Sequence, residues 1–154
     1  MRLFFYTLIG LSLGWWEGVV VVYLREILIN LQPDLTKLTI SQLTKPLIVT
    51  GNKGYSLLFI ERTREIAPIV LIFCLSILFE KKLIRKLACF LWIFAIWDLF
   101  YYITLKILIN WPPSLKTMDC LFLIPYPWIA PIWLPVSVMS FFILISTYIF
   151  KKIK

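Results

Sequence analysis

The sequence predicts an all-α integral membrane protein with four transmembrane helices and both termini in the cytoplasm. The chain is 61% hydrophobic and only 16% charged, whereas average soluble domains are about 45–50% apolar and about 25% charged. Four stretches contain the roughly 20 apolar residues that cross a ~30 Å hydrocarbon core. Basic residues also concentrate at the N-terminus, in the 80–86 turn and at the C-terminus. These observations exclude a soluble globular protein and a disordered chain.

Residues 1–154 are predicted to form a single transmembrane domain. The predicted spans are about 3–24, 57–79, 87–109 and 130–150. An outer loop (25–56), a cytoplasmic turn (80–86) and an outer proline-rich segment (110–129) connect these spans.

Prolines leave two features of this layout open. The fourth span begins between Pro127 and Pro135, and residues 120–135 are either a re-entrant segment or the lead into that span. Pro68 either kinks the second span at its charged stretch or lies in the first turn of a helix that begins near Glu65.

The distribution of lysine and arginine predicts the orientation. In a four-span topology the N-terminus, the 80–86 turn and the C-terminus share one side. That side carries eight basic residues and one acid, a net charge of +7, and the rest of the chain has a net charge of +1. Because lysine and arginine concentrate on cytoplasmic loops, the basic excess indicates cytoplasmic termini. No nucleic-acid partner is expected, since no soluble fold presents a basic surface.

Charged residues inside the predicted spans are the candidate functional residues, because a charge at membrane depth usually faces a partner or a cavity. Glu17, Glu65 and Asp98 lie about 10–16 Å below the outer ends of three spans, at about 1.5 Å per residue. Helical spacing brings further polar side chains onto the same faces. The predicted polar cluster is Glu17, Arg25, Glu61, Arg64, Glu65, Asp98, Tyr102 and Lys106. We expect a binding cavity there; salt bridges that join the helices are the structural alternative.

Gly10, Gly14 and Gly18 form a Gly-x-x-x-Gly-x-x-x-Gly face on the first span. Small residues at this spacing allow a second helix to approach closely. We therefore predict a helix-packing face beside Glu17. The neighbouring helix belongs either to the same chain or to a second copy.

The absence of histidine narrows the cofactor classes. It excludes His-ligated haem, His-ligated zinc or copper, and any histidine base, so no cofactor is expected. A divalent cation held by carboxylates stays open, with Glu17, Glu65 and Asp98 as its candidate ligands. The three cysteines match no metal-binding spacing.

Three stretches resemble an uncharacterised family of small bacterial multi-spanning inner-membrane proteins. They are EGVVVVYLRE (17–26), ERTREIA (61–67) and FAIWDLFYYITLKILINWPPSLKTMDCLFLIPYPWIAPIWLPV (94–136). The runs WDLFYY, WPPSL and LFLIPYPW are the most specific parts of the resemblance. The resemblance implies a four-span protein of the bacterial cytoplasmic (inner) membrane, and it supplies no catalytic residues.

The predicted function is binding or movement of a cation, proton or small solute by the polar cluster. An accessory or assembly subunit of a membrane complex is the second hypothesis. An intramembrane enzyme acting on a lipid-type substrate is the third, although the sequence contains no recognised catalytic motif. The expected partners are the lipid bilayer and either further copies of this chain or a larger membrane complex, because four short spans enclose little space.

Overall fold

A computed structural model of the chain describes residues 2–31, 57–124 and 128–153. This part is mostly helical, as predicted, and contains four helices. They are α1 (Arg2–Leu31), α2 (Leu57–Phe79), α3 (Leu83–Ile109) and α4 (Trp133–Lys152). Two short strands, β1 (Met118–Phe122) and β2 (Trp128–Pro131), pair antiparallel between α3 and α4.

Within the described residues, three helices are long and apolar enough to cross a membrane, which confirms the membrane prediction at this level. They are α3, α4 and the part of α1 from Arg2 to Glu26. The 23 residues of α2 are also long enough, at about 34 Å. However, its first third carries the charged residues Glu61, Arg62, Arg64 and Glu65, so α2 is the most polar of the four helices.

The central helix is α3, which contacts the other three helices. A buried core of Tyr6, Ile72, Cys89, Ile93 and Trp97 joins it to α1 and α2. Burial of these large side chains between helices fixes the arrangement on which the polar side chains depend.

The glycine face of α1 packs directly against α3 of the same chain. A Cβ atom added at Gly10 or Gly14 would lie 2.7 Å from an atom of α3, and one at Gly18 would lie 2.5 Å away. At Gly14 the closest atom is the carbonyl oxygen of Trp97, so the two backbones approach closely there. The neighbour that the sequence left open is therefore α3.

The two termini and the turn between α2 and α3 lie at one end of the bundle. Arg2 Nη1 is 3.5 Å from the Glu80 carboxylate, and Arg85 Nη1 donates to the carbonyl oxygen of Ile153 at 2.6 Å. We call this the basic end, defined by Arg2, residues 80–86 and residues 151–153. We call the opposite end, which carries residues 110–124 and 128–131, the hairpin end.

Two predicted boundaries were wrong because the helices extend further than the apolar stretches. The first helix continues past residue 24 to Leu31, and residues 32–56 of the predicted outer loop lie outside the described residues. The third helix begins at Leu83, four residues before its predicted start. Arg25, Glu26, Arg85 and Lys86 are good helix formers, so the helices continue through them.

The proline-rich region contains a pair of strands, an element that the sequence did not predict. Cys120 pairs with Ile129 and Phe122 with Trp128, with an irregularity in the register between them. Because prolines prevent a helix and the intervening residues are apolar and aromatic, these residues form strands instead. The fourth helix starts at Trp133, within the predicted interval from Pro127 to Pro135, and the pair of strands is an exception to the all-α prediction.

Carbonyl groups of the hairpin end cap the start of α4. The backbone N–H of Ile132 donates to Thr117 at 3.0 Å, and that of Trp133 donates to Leu115 at 2.9 Å. These bonds satisfy donors that a helix N-terminus leaves without intrahelical partners.

The position of Pro68 decides between the two interpretations of the second span. Pro68 lies inside α2, which begins at Leu57, so a helix starting near Glu65 was wrong. Because proline has no N–H, it cannot donate to the carbonyl of Arg64 four residues earlier.

Candidate functional site

The polar cluster contains an ion-pair triad between α1 and α2. Arg64 Nη1 binds the carboxylate of Glu17 on α1, and Arg64 Nε donates to Glu61 Oε1 at 2.9 Å. The three side chains are only 11–14% exposed. Two carboxylates thus share one guanidinium, whose attraction offsets part of the cost of burying these charges. The triad is the part of the cluster that fits the salt-bridge interpretation.

The next residues of α2 hold the β-hairpin by its backbone. Arg62 Nε donates to the carbonyl oxygen of Leu123 at 3.2 Å, and the Leu123 N–H donates to Glu65 Oε2 at 3.0 Å. Both backbone polar groups of Leu123 are therefore bound by side chains one helical turn apart. We call this arrangement the hairpin clamp, formed by Arg62, Glu65 and Leu123.

The hairpin also contributes an acid to the site. Tyr102 on α3 donates from its hydroxyl to Asp119 Oδ2 on β1 at 3.1 Å. Burial raises the pKa of Asp119 above its usual range, although the Tyr102 hydroxyl and the charge of Arg25 act in the opposite direction. Burial and the nearby Asp119 charge also raise the pKa of the Cys120 thiol to about 11, so this thiol is neutral at physiological pH.

Asp98 is the acid whose environment differs from the others. It lies one helical turn before Tyr102 on α3, and its Oδ2 atom is buried without a hydrogen-bond partner among the residues that the structure describes. The charges that act on it from neighbouring elements are those of Asp119 on β1 and Glu17 on α1, and both are acidic. A buried carboxylate in such surroundings is costly as an anion and favours a neutral form.

The two remaining basic residues of the predicted cluster lie towards the rim of the hairpin end. The guanidinium of Arg25 stacks over the Trp111 ring, 4.1 Å from its centroid. Lys106 is exposed, and its ammonium donates to the carbonyl oxygens of Asn110 at 3.4 Å and Pro112 at 3.1 Å. Lys106 shares a helical stripe with Asp98 and Tyr102, but its position in the last turn directs it to these loop carbonyls.

The predicted carboxylates do not form a metal site. Across residues 2–31, 57–124 and 128–153, no three His, Cys, Asp or Glu side chains are arranged to hold a metal ion. Glu17 instead binds Arg64, and Glu65 accepts the N–H of Leu123. Among the described residues, Glu17, Glu65 and Asp98 therefore do not converge on one point where they could share a divalent cation.

The residues missed from sequence are Arg62 and Asp119. Arg62 lies within the charged stretch, but its partner is a backbone carbonyl 61 residues away, which no local pattern reveals. Asp119 lies outside the predicted spans, and only charged residues at membrane depth were considered as candidates for the polar cluster. The segment Met118–Phe122 has the sequence MDCLF, which does not alternate between polar and apolar residues, so no clear sequence signal marked a strand there. Comparisons with protein-family models, curated proteins and solved structures find no match to this chain.

Replacing Glu65 with alanine is expected to release the hairpin from α2. The substitution removes the acceptor of the Leu123 N–H, and a hydrogen bond to a charged group contributes about 1.5–3 kcal/mol. Hydrogen exchange measured in detergent should therefore become about tenfold faster for the Leu123 amide and β1. Glu26→Ala removes an exposed acid of α1 and should leave these rates unchanged. Equal rates in wild type and Glu65→Ala would contradict the clamp.

Proposed function

We propose that this chain is a four-span protein of the bacterial inner membrane that binds and conducts protons, with Asp98 as the proton-binding group. The observation that carries the proposal is the buried Asp98 Oδ2 atom, which lacks a hydrogen-bond partner among the described residues. Ionisable groups inside a membrane domain commonly form proton relays.

The contacts of α2 support its inclusion as a membrane span, in addition to the three more apolar helices. Glu61 and Arg64 pair within the triad, while Arg62 and Glu65 bind the backbone of Leu123. Since each of these charges has a protein partner, the cost of placing α2 in the membrane is reduced. The concentration of basic residues at the basic end supports its placement in the cytoplasm, with the hairpin end on the outer side.

The surroundings of Asp98 favour a proton over a metal cation. Calcium and magnesium take six or more oxygen ligands, whereas Asp98 belongs to no group of three metal-ligating side chains in the described part of the chain. A proton requires a single oxygen atom. The charged groups that act on Asp98 from neighbouring described elements, Glu17 and Asp119, are both acidic, so neither supplies the positive charge that a buried carboxylate anion needs.

The charge balance at the hairpin end supports the same assignment. Within the polar site, five carboxylates lie against three arginines, and the exposed Lys106 and Lys116 lie outside the site. The carboxylates are Glu17, Glu61, Glu65, Asp98 and Asp119, and the arginines are Arg25, Arg62 and Arg64. Three of the five, Glu65, Asp98 and Asp119, have no bond to a basic side chain among the described residues. Of these three, only Asp98 has a buried oxygen without a hydrogen-bond donor in the described part of the chain.

Tyr102 gives Asp98 a route towards the hairpin end. Its hydroxyl is bonded to Asp119, and its position one helical turn after Asp98 places both residues on one face of α3. A phenol hydroxyl both donates and accepts hydrogen bonds. We therefore place Asp98, Tyr102 and Asp119 in order along the outer half of the proton path.

Proton flux into liposomes tests this proposal. The purified full chain is reconstituted, a pH gradient is imposed with the membrane potential clamped, and the internal pH is followed with a dye. Asp98→Asn keeps the size of the side chain but removes its titratable group, so we expect at least a tenfold lower flux. Glu26→Gln makes the same change in charge at an exposed residue of α1 and should retain the wild-type flux.

Two results would contradict the proposal. One is a wild-type flux equal to that of empty liposomes, and the other is an undiminished flux in Asp98→Asn. Circular dichroism and the unfolding midpoint of each variant separate loss of the proton-binding group from loss of the fold.

A further inference from the structure

The basic end is held together by one buried acid. Glu80 is 2% exposed, and Arg85 donates to both of its carboxylate oxygens, from Nε at 2.7 Å and from Nη2 at 2.9 Å. The hydroxyl of Tyr6 on α1 adds a third hydrogen bond at 2.8 Å. Arg85 also binds the carbonyl oxygen of Ile153 after α4. We call this arrangement the Glu80 joint, and it gathers the ends of all four helices.

The Glu80 joint leaves a concentrated positive charge around it. Seven basic residues and one acid lie in the described part of the basic end, and that acid is bound to Arg85. Lys81, Lys86 and Lys151 form no ion pair with any residue in the described ranges. The ammonium of Lys152 bonds the neutral hydroxyl of Tyr148 at 2.8 Å. Lys81, Lys86, Lys151 and Lys152 thus carry positive charge that forms no ion pair with an acidic side chain in the described part of the chain.

We propose that the basic end binds the phosphate groups of anionic phospholipids in the surrounding leaflet. Lysines at the ends of membrane helices extend their ammonium groups to the headgroup level. Basic residues adjoining a membrane domain attract anionic lipids, and each lysine adds to the attraction. The complementary ligand is therefore a lipid headgroup whose phosphodiester gives it a net negative charge, in the plane where these helices end.

The structure gathers the lysines of the basic end at one place. Basic residues can orient a chain in the membrane without being gathered in this way. Basic residues orient a chain during insertion by their number on each side of the membrane, wherever the helix ends finally lie. Here the Glu80 joint brings Lys81 of the α2–α3 turn and Lys151 of α4 to the same end of the bundle. A gathered surface can bind several headgroups at once, whereas separated helix ends cannot.

The test uses the purified full chain in a neutral detergent, so insertion and orientation do not enter. Phosphatidylglycerol or phosphatidylcholine is added, and the unfolding midpoint is measured. A ligand that binds only the folded state raises the midpoint. We expect phosphatidylglycerol to raise it by about 3 °C or more, phosphatidylcholine to have little effect, and 0.5 M salt to remove most of the increase.

Matched variants show which end is responsible. Lys81→Gln with Lys151→Gln should lose at least half of the increase, whereas Lys106→Gln with Lys116→Gln removes the same charge at the hairpin end and should retain it. Soluble glycerol phosphate should produce no shift, which separates a lipid in the leaflet from free phosphate. Equal shifts with both lipids, or equal losses in both double variants, would overturn the proposal. Asp98→Asn should keep the lipid effect, since that proposal is independent.

Discussion

Replacing Arg85 with methionine is expected to destabilise the protein by about 3–5 kcal/mol, the cost of leaving one member of a buried ion pair without its partner. Methionine keeps much of the volume of the arginine stem but cannot donate a hydrogen bond to either carboxylate oxygen of Glu80. Because Glu80 is only 2% exposed, water cannot readily replace these hydrogen bonds. The change also removes the bond to Ile153. Chemical unfolding in mild detergent, followed by tryptophan fluorescence, measures the loss.

A second substitution distinguishes a stranded charge from lost packing. Adding Glu80→Gln to Arg85→Met removes the unpaired carboxylate, so the double variant should recover much of the stability. If the double variant were as unstable as Arg85→Met, the stranded charge would not be the cause of the loss.

The pH dependence provides an independent test of the same contact. Arg85 is the main cause that lowers the pKa of Glu80 below its ordinary value of 4.5. The resulting stability is present above pH 4.5 and is lost as the pH falls through the lowered pKa of the folded state. In Arg85→Met, burial disfavours the charged form of Glu80 and Arg85 no longer offsets this effect. Protonation of Glu80 at low pH should therefore remove much of the destabilisation of the variant. The difference between wild type and variant should therefore shrink as the pH falls below about 5.

Hydropathy predicted the helices well because the membrane imposes a simple requirement of length and apolarity. A helix covers the residues predicted for the second span, 57–79, although only the other three described helices are long and apolar enough to cross a membrane. In contrast, the hairpin depends on pairing between Cys120 and Ile129 and on the clamp at Leu123. Such contacts join residues that are distant in sequence or belong to different elements, and helical periodicity carries no information about them.

The contacts of charged side chains could be predicted where both partners lie on the same helix, because helical spacing alone then brings them together. Arg64 binds Glu61 three residues earlier, as the spacing indicated, and Glu17 completes the triad from the glycine-bearing helix. Glu80 was counted only as one negative charge in a basic turn. Its burial depends on Tyr6, 74 residues away, so the sequence alone could not identify it as the centre of a joint.

The close contact between α1 and α3 should be as sensitive as the Glu80 joint. A Cβ atom at Gly14 would lie 2.7 Å from the Trp97 carbonyl oxygen and 2.8 Å from the Phe100 Cβ atom. Because the first of these belongs to the α3 backbone, a side-chain rotation cannot relieve the overlap. Gly14→Leu is therefore expected to cost more than about 3 kcal/mol, the upper part of the range for overpacked cores, in the same unfolding measurement.

Ser12→Leu is the matched control for Gly14→Leu, since it adds the same kind of side chain to an exposed position of the same helix and should change stability little. The two variants also differ in their expected effect on function. Separating α1 from α3 displaces Glu17, which follows Gly14 by less than one turn, from the polar site. Gly14→Leu should therefore lower proton flux together with stability, whereas Ser12→Leu should preserve both. Equal stability of the two variants would show that α1 can move away from α3 at little cost, and the glycine face would then not determine where Glu17 lies.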